Sequence, residues 1–258
     1  MLEIKNIHYQ VKNKVLLSDV SARFELGTIT GIIGSNGAGK STLLKIISGE
    51  NKANDGEVYL SGKQITNDYK EFPAHMRAVV SQSEMVIADI SVIEYVLLGC
   101  LVFSISGQYT IKDYKKTERA LEFTGSNDLS YMRLSSLSGG EKQRVQLARA
   151  LVQLEDEDCQ YSGYLFLDEF SASMDVYFQK KMLELLRVLV ENQKLAIIII
   201  AHDLGQIMNY FDYCLLLKNG SVVSYGTPID VLTNQNIKNA YNIDVNKIEV
   251  GGKYYFIY

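Results

Sequence analysis

The chain has 258 residues, of which 47% are hydrophobic and 22% charged, with a formal net charge of -4. These values describe one large domain, or a domain with a subdomain, that can bury a core, and they exclude wholesale disorder. The acidic balance argues against a dedicated nucleic-acid binder. Cys100, Cys159 and Cys214 are scattered and odd in number, which suits reduced cytosolic thiols better than a disulfide framework or a zinc site.

The opening MLEIKNIHYQ reads as a strand and not as a signal peptide. Residues 1–33 alternate short polar and apolar runs, the pattern of strands and turns. TITGII (28–33) is a β-branched strand that ends at Gly34; a glycine loop follows, then STLLKIIS as a helix closed by Gly49. Strand, glycine loop and helix open an α/β unit with a parallel sheet. RAVVSQ (77–82) is a further short strand. From about 85 to 155 the signal is helical with little strand, so a mostly helical insert is expected. YLFLDE (164–169) is then a strand, residues 177–193 an amphipathic helix, and LAIIIIAHD (195–203) a buried strand. Residues 213–226 form a hairpin around Asn219-Gly220, and Thr227-Pro228 open a closing helix. The run EDED (155–158) reads as a solvated loop, and the apolar runs YVLLGCLVF and LAIIIIA fall short of the ~18–20 residues a bilayer span needs. Any work at a membrane is therefore expected to go through a partner.

GSNGAGKST, residues 34–42, matches the phosphate-loop pattern of glycines ending in Gly-Lys-Ser/Thr. The glycines let successive N–H groups turn inward around the phosphates, which makes Gly34, Ser35, Asn36, Gly37, Ala38 and Gly39 candidate nucleotide-binding residues. Lys40 supplies a point charge, and Ser41 offers a hydroxyl to Mg²⁺ ahead of Thr42. Asp168, at the end of YLFLDE, can hold the Mg²⁺ shell directly or through water, and Glu169 is placed to act as general base. Such a strand alone is a common pattern; the phosphate loop makes it a pair. His202 emerges from the C-terminal end of a core strand, where ligands of open α/β sheets bind. Gln82 sits at another strand end, between core and insert, with a neutral carbonyl for Mg²⁺ and an amide for water. Tyr9 is either an ordinary strand tyrosine or a stacking surface for a base. SSLSGGEKQR (135–144) opens a helix behind Ser138, Gly139 and Gly140, a second seat for an anion. Its Ser138-x-x-Glu141 spacing is that of a capping box.

In this order and spacing the motifs resemble those of the ATP-binding cassette (ABC) ATPases, across essentially the whole chain. The piece that decides the resemblance is LSGGE (137–141), similar to that family's signature Leu-Ser-Gly-Gly-Gln. The resemblance implies an ABC-ATPase fold of the phosphate-loop class: a parallel-sheet core (1–84 and 160–258), an antiparallel β portion, and an inserted helical subdomain (about 85–159), all in one domain. It implies ATP and Mg²⁺ as ligands. Tyr9 takes the adenine-stacking position, Gly34–Thr42 the Walker A loop, Gln82 the Q-loop, and Asp168 with Glu169 the Walker B acid and catalytic base. Ala172–Asp175 takes the D-loop and His202 the switch histidine. It further implies a head-to-tail homodimer in which Ser138, Gly139 and Gly140 hold the terminal phosphate of the partner's ATP.

One cassette with no membrane segment resembles the ATPase subunit of a bacterial importer, peripheral on the cytoplasmic face of the inner membrane. Its implied partners are permease subunits and, through them, a periplasmic or surface binding protein, with no nucleic acid. The signature helix, the ISVIEYVLLGC segment and the tail from Gly226 are similar to importers of iron–siderophores, haem and cobalamin. The long stretch VQLEDEDCQYSG before Walker B is similar to haem and cobalamin importers, so haem import is the leading expectation. The alternatives are siderophore or cobalamin import, an exporter, or a non-transport cassette acting on DNA or the ribosome. The short span from Lys40 to Ser138, the single cassette and the acidic charge weigh against the non-transport reading. Glu141 for glutamine, Phe170 for proline and ASMD in the D-loop depart from the family pattern.

Overall fold

A computed structural model describes residues 1–65, 72–81, 89–103, 107–170, 174–191 and 194–257. The chain divides into two units, Met1–Phe72 with Ala196–Tyr258, and Pro73–Leu195.

In the first unit, β1 (Leu2–Val11) pairs antiparallel with β2 (Lys14–Phe24), bringing Leu2 opposite Phe24 and Tyr9 opposite Leu17. Leu2, Ile4, Ile7, Leu17, Val20 and Phe24 are buried, the inward set of a half-covered antiparallel sheet. The strand β3 (Ile29–Gly34) is different: all its residues are buried, as in a strand covered on both faces. The chain then turns through the glycine loop into α1 (Lys40–Ile47), which buries Leu43, Leu44, Ile46 and Ile47. β4 (Asp55–Leu60) and β5 (Lys63–Ile65) complete a four-stranded sheet of order β2-β1-β4-β5.

The second unit contains β6 (Arg77–Val80), α2 (Val92–Leu97), α3 (Ile111–Phe123), α4 (Gly139–Leu154), β7 (Gly163–Leu167) and α5 (Val176–Val190). β6 and β7 run parallel, from Arg77 opposite Tyr164 to Val80 opposite Leu167. α4 is the centre of this unit, with Val145, Leu147, Ala148, Ala150, Leu151, Val152 and Leu154 buried and with α2, α3 and β6 packed on it. Gln153 ties it to the strand start, its Nε2 donating to the carbonyls of Ala74 and Arg77, both at 2.8 Å. The solvated loop expected at 155–158 is corrected at its first residue. Glu155 is buried, pairs with Arg119, and its main-chain oxygen accepts from Lys116 Nζ at 2.7 Å. The charge pattern of the run hid this, because the partners lie on α3, far away in sequence.

The chain returns to the first unit with β8 (Leu195–Ile200), α6 (Leu204–Tyr210), β9 (Tyr213–Lys218) and β10 (Ser221–Gly226). β3 lies between β8 and β9 and is parallel to both, with Ile29 opposite Ile197 and Gly34 opposite Leu217. β10 adds antiparallel at the edge through the expected turn at Asn219-Gly220. α7 (Pro228–Val231), with Thr227 at its N-cap and Pro228 in its first turn, precedes α8 (Asn234–Tyr241). β11 (Asn246–Val250) and β12 (Lys253–Ile257) close the chain as a hairpin that the motif reading passed over. Its signal was Gly251-Gly252 between two alternating runs. The parallel sheet, the antiparallel β portion and the helices agree with the expected α/β class.

Candidate functional site

The glycine loop is shaped from behind by backbone. A side chain at Gly34 (φ 146°) would place its Cβ 2.3 Å from the Leu217 carbonyl, and one at Gly39 (φ 101°) would meet the Leu16 carbonyl at 2.8 Å. Only glycine admits both the left-handed backbone and that approach. On the other side the loop faces open space at Gly37. Gly39 is the N-cap of α1 and offers no side chain to cap it, so the positive end of the helix faces the loop without a side-chain cap of its own. Lys40 is buried, and its Nζ donates to the carbonyls of Gly34 at 2.9 Å and Ser35 at 3.1 Å, which folds the ammonium back over the loop. Glycine backbone, an uncapped helix start and a lysine poised above them suit phosphate groups.

Tyr9 lies close to this loop. It lines a cavity of about 290 Å³ with His8, Gln10, Val15 and Leu17. Leu17 also presses on the loop, its Cδ2 lying 2.8 Å from where a Gly39 side chain would begin. The structure therefore brings the tyrosine and the phosphate loop against one shared leucine. His202 stands exposed just past the end of β8, followed by Asp203, whose Oδ1 caps α6 by accepting from the Gln206 N–H at 2.9 Å.

In the second unit, β7 ends at Leu167, so Asp168 and Glu169 follow the strand rather than finish it. The Asp168 N–H still donates to the Val80 carbonyl at 2.9 Å, which continues the ladder by one bond. Glu169 has φ 50°, a strained conformation for a non-glycine residue and one that clusters at functional sites. Phe170, which departs from the family's proline, is buried. Asp175 is the N-cap of α5, its Oδ1 accepting from the Phe178 N–H at 3.0 Å. Gln82 and residues 172–173 of the D-loop lie outside the described residues.

Ser138 is the N-cap of α4, with Gly139 and Gly140 in the first turn. The capping box expected from the sequence is closed. Ser138 Oγ accepts from the Glu141 N–H at 3.4 Å, and Glu141 Oε2 accepts from the Ser138 N–H at 2.8 Å and from its hydroxyl at 2.7 Å. The Ser138 hydroxyl and N–H hold the Glu141 carboxyl below the usual carboxylate range, so it is ionised at neutral pH.

The family model for ABC transporters matches residues 17–171, a span from β2 to beyond Glu169. The chain belongs to the ABC transporter family. The cassette is 32% identical to a petrobactin import ATP-binding protein of Bacillus subtilis (strain 168), over 95% of this chain and 94% of that protein. It is 34% identical to a hemin import ATP-binding protein of Burkholderia ambifaria, over 97% and 96% of the two chains. Among solved structures it resembles a dimeric ATP-binding cassette in a post-hydrolysis state bound to ADP and phosphate, with TM-score 0.75 and 25% identity over 88% of this chain and 99% of that one. Among the described residues, no helix of the cassette is long and apolar enough to cross a membrane.

Motif reasoning missed the supports behind the loop. The Gly34 N–H donates to the Tyr241 hydroxyl at 2.9 Å, and the Gly220 N–H donates to the Ala38 carbonyl at 3.0 Å. Tyr241 ends α8, far along the chain, and one tyrosine among 17 carries no mark. Gly220 was visible as a hairpin turn, but its contact with the loop follows only from the β3–β9 pairing.

Proposed function

We propose that the cassette is the ATP-hydrolysing motor of a bacterial importer that takes up an iron chelate, with haem as the leading substrate. The loop geometry carries the ATP part of this reading: an uncapped helix start, a glycine-built cradle and Lys40 turned over it. Adenine would stack on Tyr9, and the phosphates would lie along residues 34–42. Mg²⁺ would be held by the Ser41 hydroxyl and Asp168, with Gln82 as a neutral oxygen donor; hard oxygen ligands of this kind suit that ion. Bound there, Mg²⁺ would supply charge neutralisation on the phosphates. Glu169 would accept the proton of the attacking water, and His202 would hold that water or the terminal phosphate in place. Ser138, Gly139, Gly140 and Asp175 would complete the site of a second copy, so that each dimer carries two composite sites.

The relatives named for hemin and petrobactin import support the importer reading and do not separate the two cargoes. Siderophore import is thus the second reading, favoured by the petrobactin relative. In both, a permease and a binding protein carry cargo specificity, and the cassette sits on the cytoplasmic face of the membrane.

Two measurements test the proposal. Glu169→Gln is expected to bind ATP normally and to hydrolyse it roughly 10²–10⁴ times more slowly, the range for loss of a general base. Unchanged hydrolysis would remove Glu169 from that role. Vesicles containing the cassette and its permease, loaded in turn with haem, cobalamin and a ferric siderophore, are expected to transport haem; uptake of another cargo would replace it.

A further inference from the structure

We infer that Glu141 is an internal competitor for the signature serine: its carboxylate captures the one hydroxyl proton that Ser138 would give to a nucleotide, and so weakens closure of the ATP dimer. This inference rests on the shared-site reading above.

The argument is a count of donors. A serine hydroxyl has a single O–H donor and can accept in addition. In the structure that donor points to Glu141 Oε2 at 2.7 Å, and the same oxygen takes the Ser138 N–H at 2.8 Å. An ionised carboxylate only accepts, so the hydroxyl proton is committed to it. A phosphate arriving at Ser138 must break this charge-assisted bond, and it must also approach a fixed negative charge on the same helix turn. The other capping boxes show the same capture. Ser91 Oγ donates to Glu94 Oε2 at 2.5 Å, and Thr110 Oγ1 to Asp113 Oδ2 at 2.7 Å. An acid at the third helical position thus takes the cap hydroxyl as a rule. At Ser91 and Thr110 the hydroxyl has no other proposed task; at Ser138 it does.

Glutamine at position 141 would behave differently. Its carbonyl oxygen, in the place of Glu141 Oε2, still accepts the Ser138 N–H, but as a neutral acceptor it holds the hydroxyl proton less tightly than a carboxylate and sets no negative charge beside an arriving phosphate. Helix capping is kept and the competition is weakened.

The test uses ATP-dependent dimerisation of the full chain in a Glu169→Gln background, measured by sedimentation. Adding Glu141→Gln is expected to leave the melting temperature unchanged and to tighten dimerisation, by up to roughly tenfold for each of the two composite sites, the scale of one charge-assisted hydrogen bond. Glu141→Ala is expected to lower the melting temperature and still tighten the dimer. A purely structural box predicts the opposite sign for Glu141→Ala, with weaker capping and a weaker dimer together. If Glu169→Gln forms an ATP-dependent dimer and Glu141→Gln leaves its affinity unchanged, the competition is overturned while the shared site stands. If Glu169→Gln forms no dimer with ATP, both readings fall.

Discussion

The chain presents two helix starts that the proposed function assigns to phosphate, and they are finished in opposite ways. At α1 the N-cap is Gly39 and no side chain closes it. At α4 the N-cap is Ser138, and the carboxylate of Glu141 takes both its donors. Orphan N–H groups at a helix start need a partner. The first helix has no side-chain cap, and the second carries its own. The open seat needs shape, so its residues are glycines with carbonyls pressed behind them. The self-capped seat needs only the local spacing of Ser138 and Glu141. On the proposed reading a ligand adds to the first site and displaces something at the second, a physical reason for the first to bind nucleotide alone and the second only in a dimer.

The sharpest way to break the comparison is to spoil the open seat from behind. Gly34→Ala would force a Cβ to within 2.3 Å of the Leu217 carbonyl at φ 146°. Neither backbone can give way without separating β3 from β9, so a loss of about 3 kcal/mol in stability and of ATP binding is expected, read by thermal melting and nucleotide titration. Gly37→Ala meets open space at φ 78°, so only the left-handed strain of about 1 kcal/mol remains. Equal effects at the two positions would mean that the carbonyl wall behind the loop does not shape it.

A middle-sized effect is expected at the self-capped seat. Ser138→Ala removes both hydrogen bonds of the hydroxyl and leaves the Ser138 N–H on Glu141, costing about 1 kcal/mol in stability. On the shared-site reading it also removes a phosphate ligand, so hydrolysis should fall roughly tenfold or more while ATP affinity of the isolated chain stays unchanged. A stability loss with full ATPase activity would make the box structural only.

The same contrast explains what the sequence disclosed. The phosphate loop, the capping box, the parallel α/β core and the hairpin at Asn219-Gly220 were legible because each is written within a few consecutive residues. Short-range chemistry has short-range spelling. Features set by long-range pairing were not legible. Glu155 looks solvated among Asp156, Glu157 and Asp158, yet Arg119 and Lys116 bury it from a helix more than thirty positions away. Glu169 looked like the last residue of a strand, and its left-handed backbone lies just past the strand's end. The wall behind Gly34 comes from β9, and no pattern around residues 34–42 announces it.

The smallest expected effect probes that hidden wall. The Gly34 N–H, at the very start of the loop, donates to the Tyr241 hydroxyl at 2.9 Å. Both groups are partly buried, and an N–H left without a partner there costs about 1 kcal/mol. Tyr241→Phe keeps the ring and deletes the hydroxyl, so packing of α8 is preserved. A melting temperature lower by a few degrees is expected, with ATP affinity reduced no more than a few-fold. The direction of any larger change is informative. If Tyr241→Phe weakened ATP binding as much as Gly34→Ala, the loop would owe its shape to one hydrogen bond. If it did nothing to stability, the Leu217 carbonyl and the β3–β9 pairing would suffice to hold the loop. The predicted middle result says that the open seat is set by backbone close-packing and only trimmed by the tyrosine, in contrast to the self-capped seat, where one side chain sets the geometry.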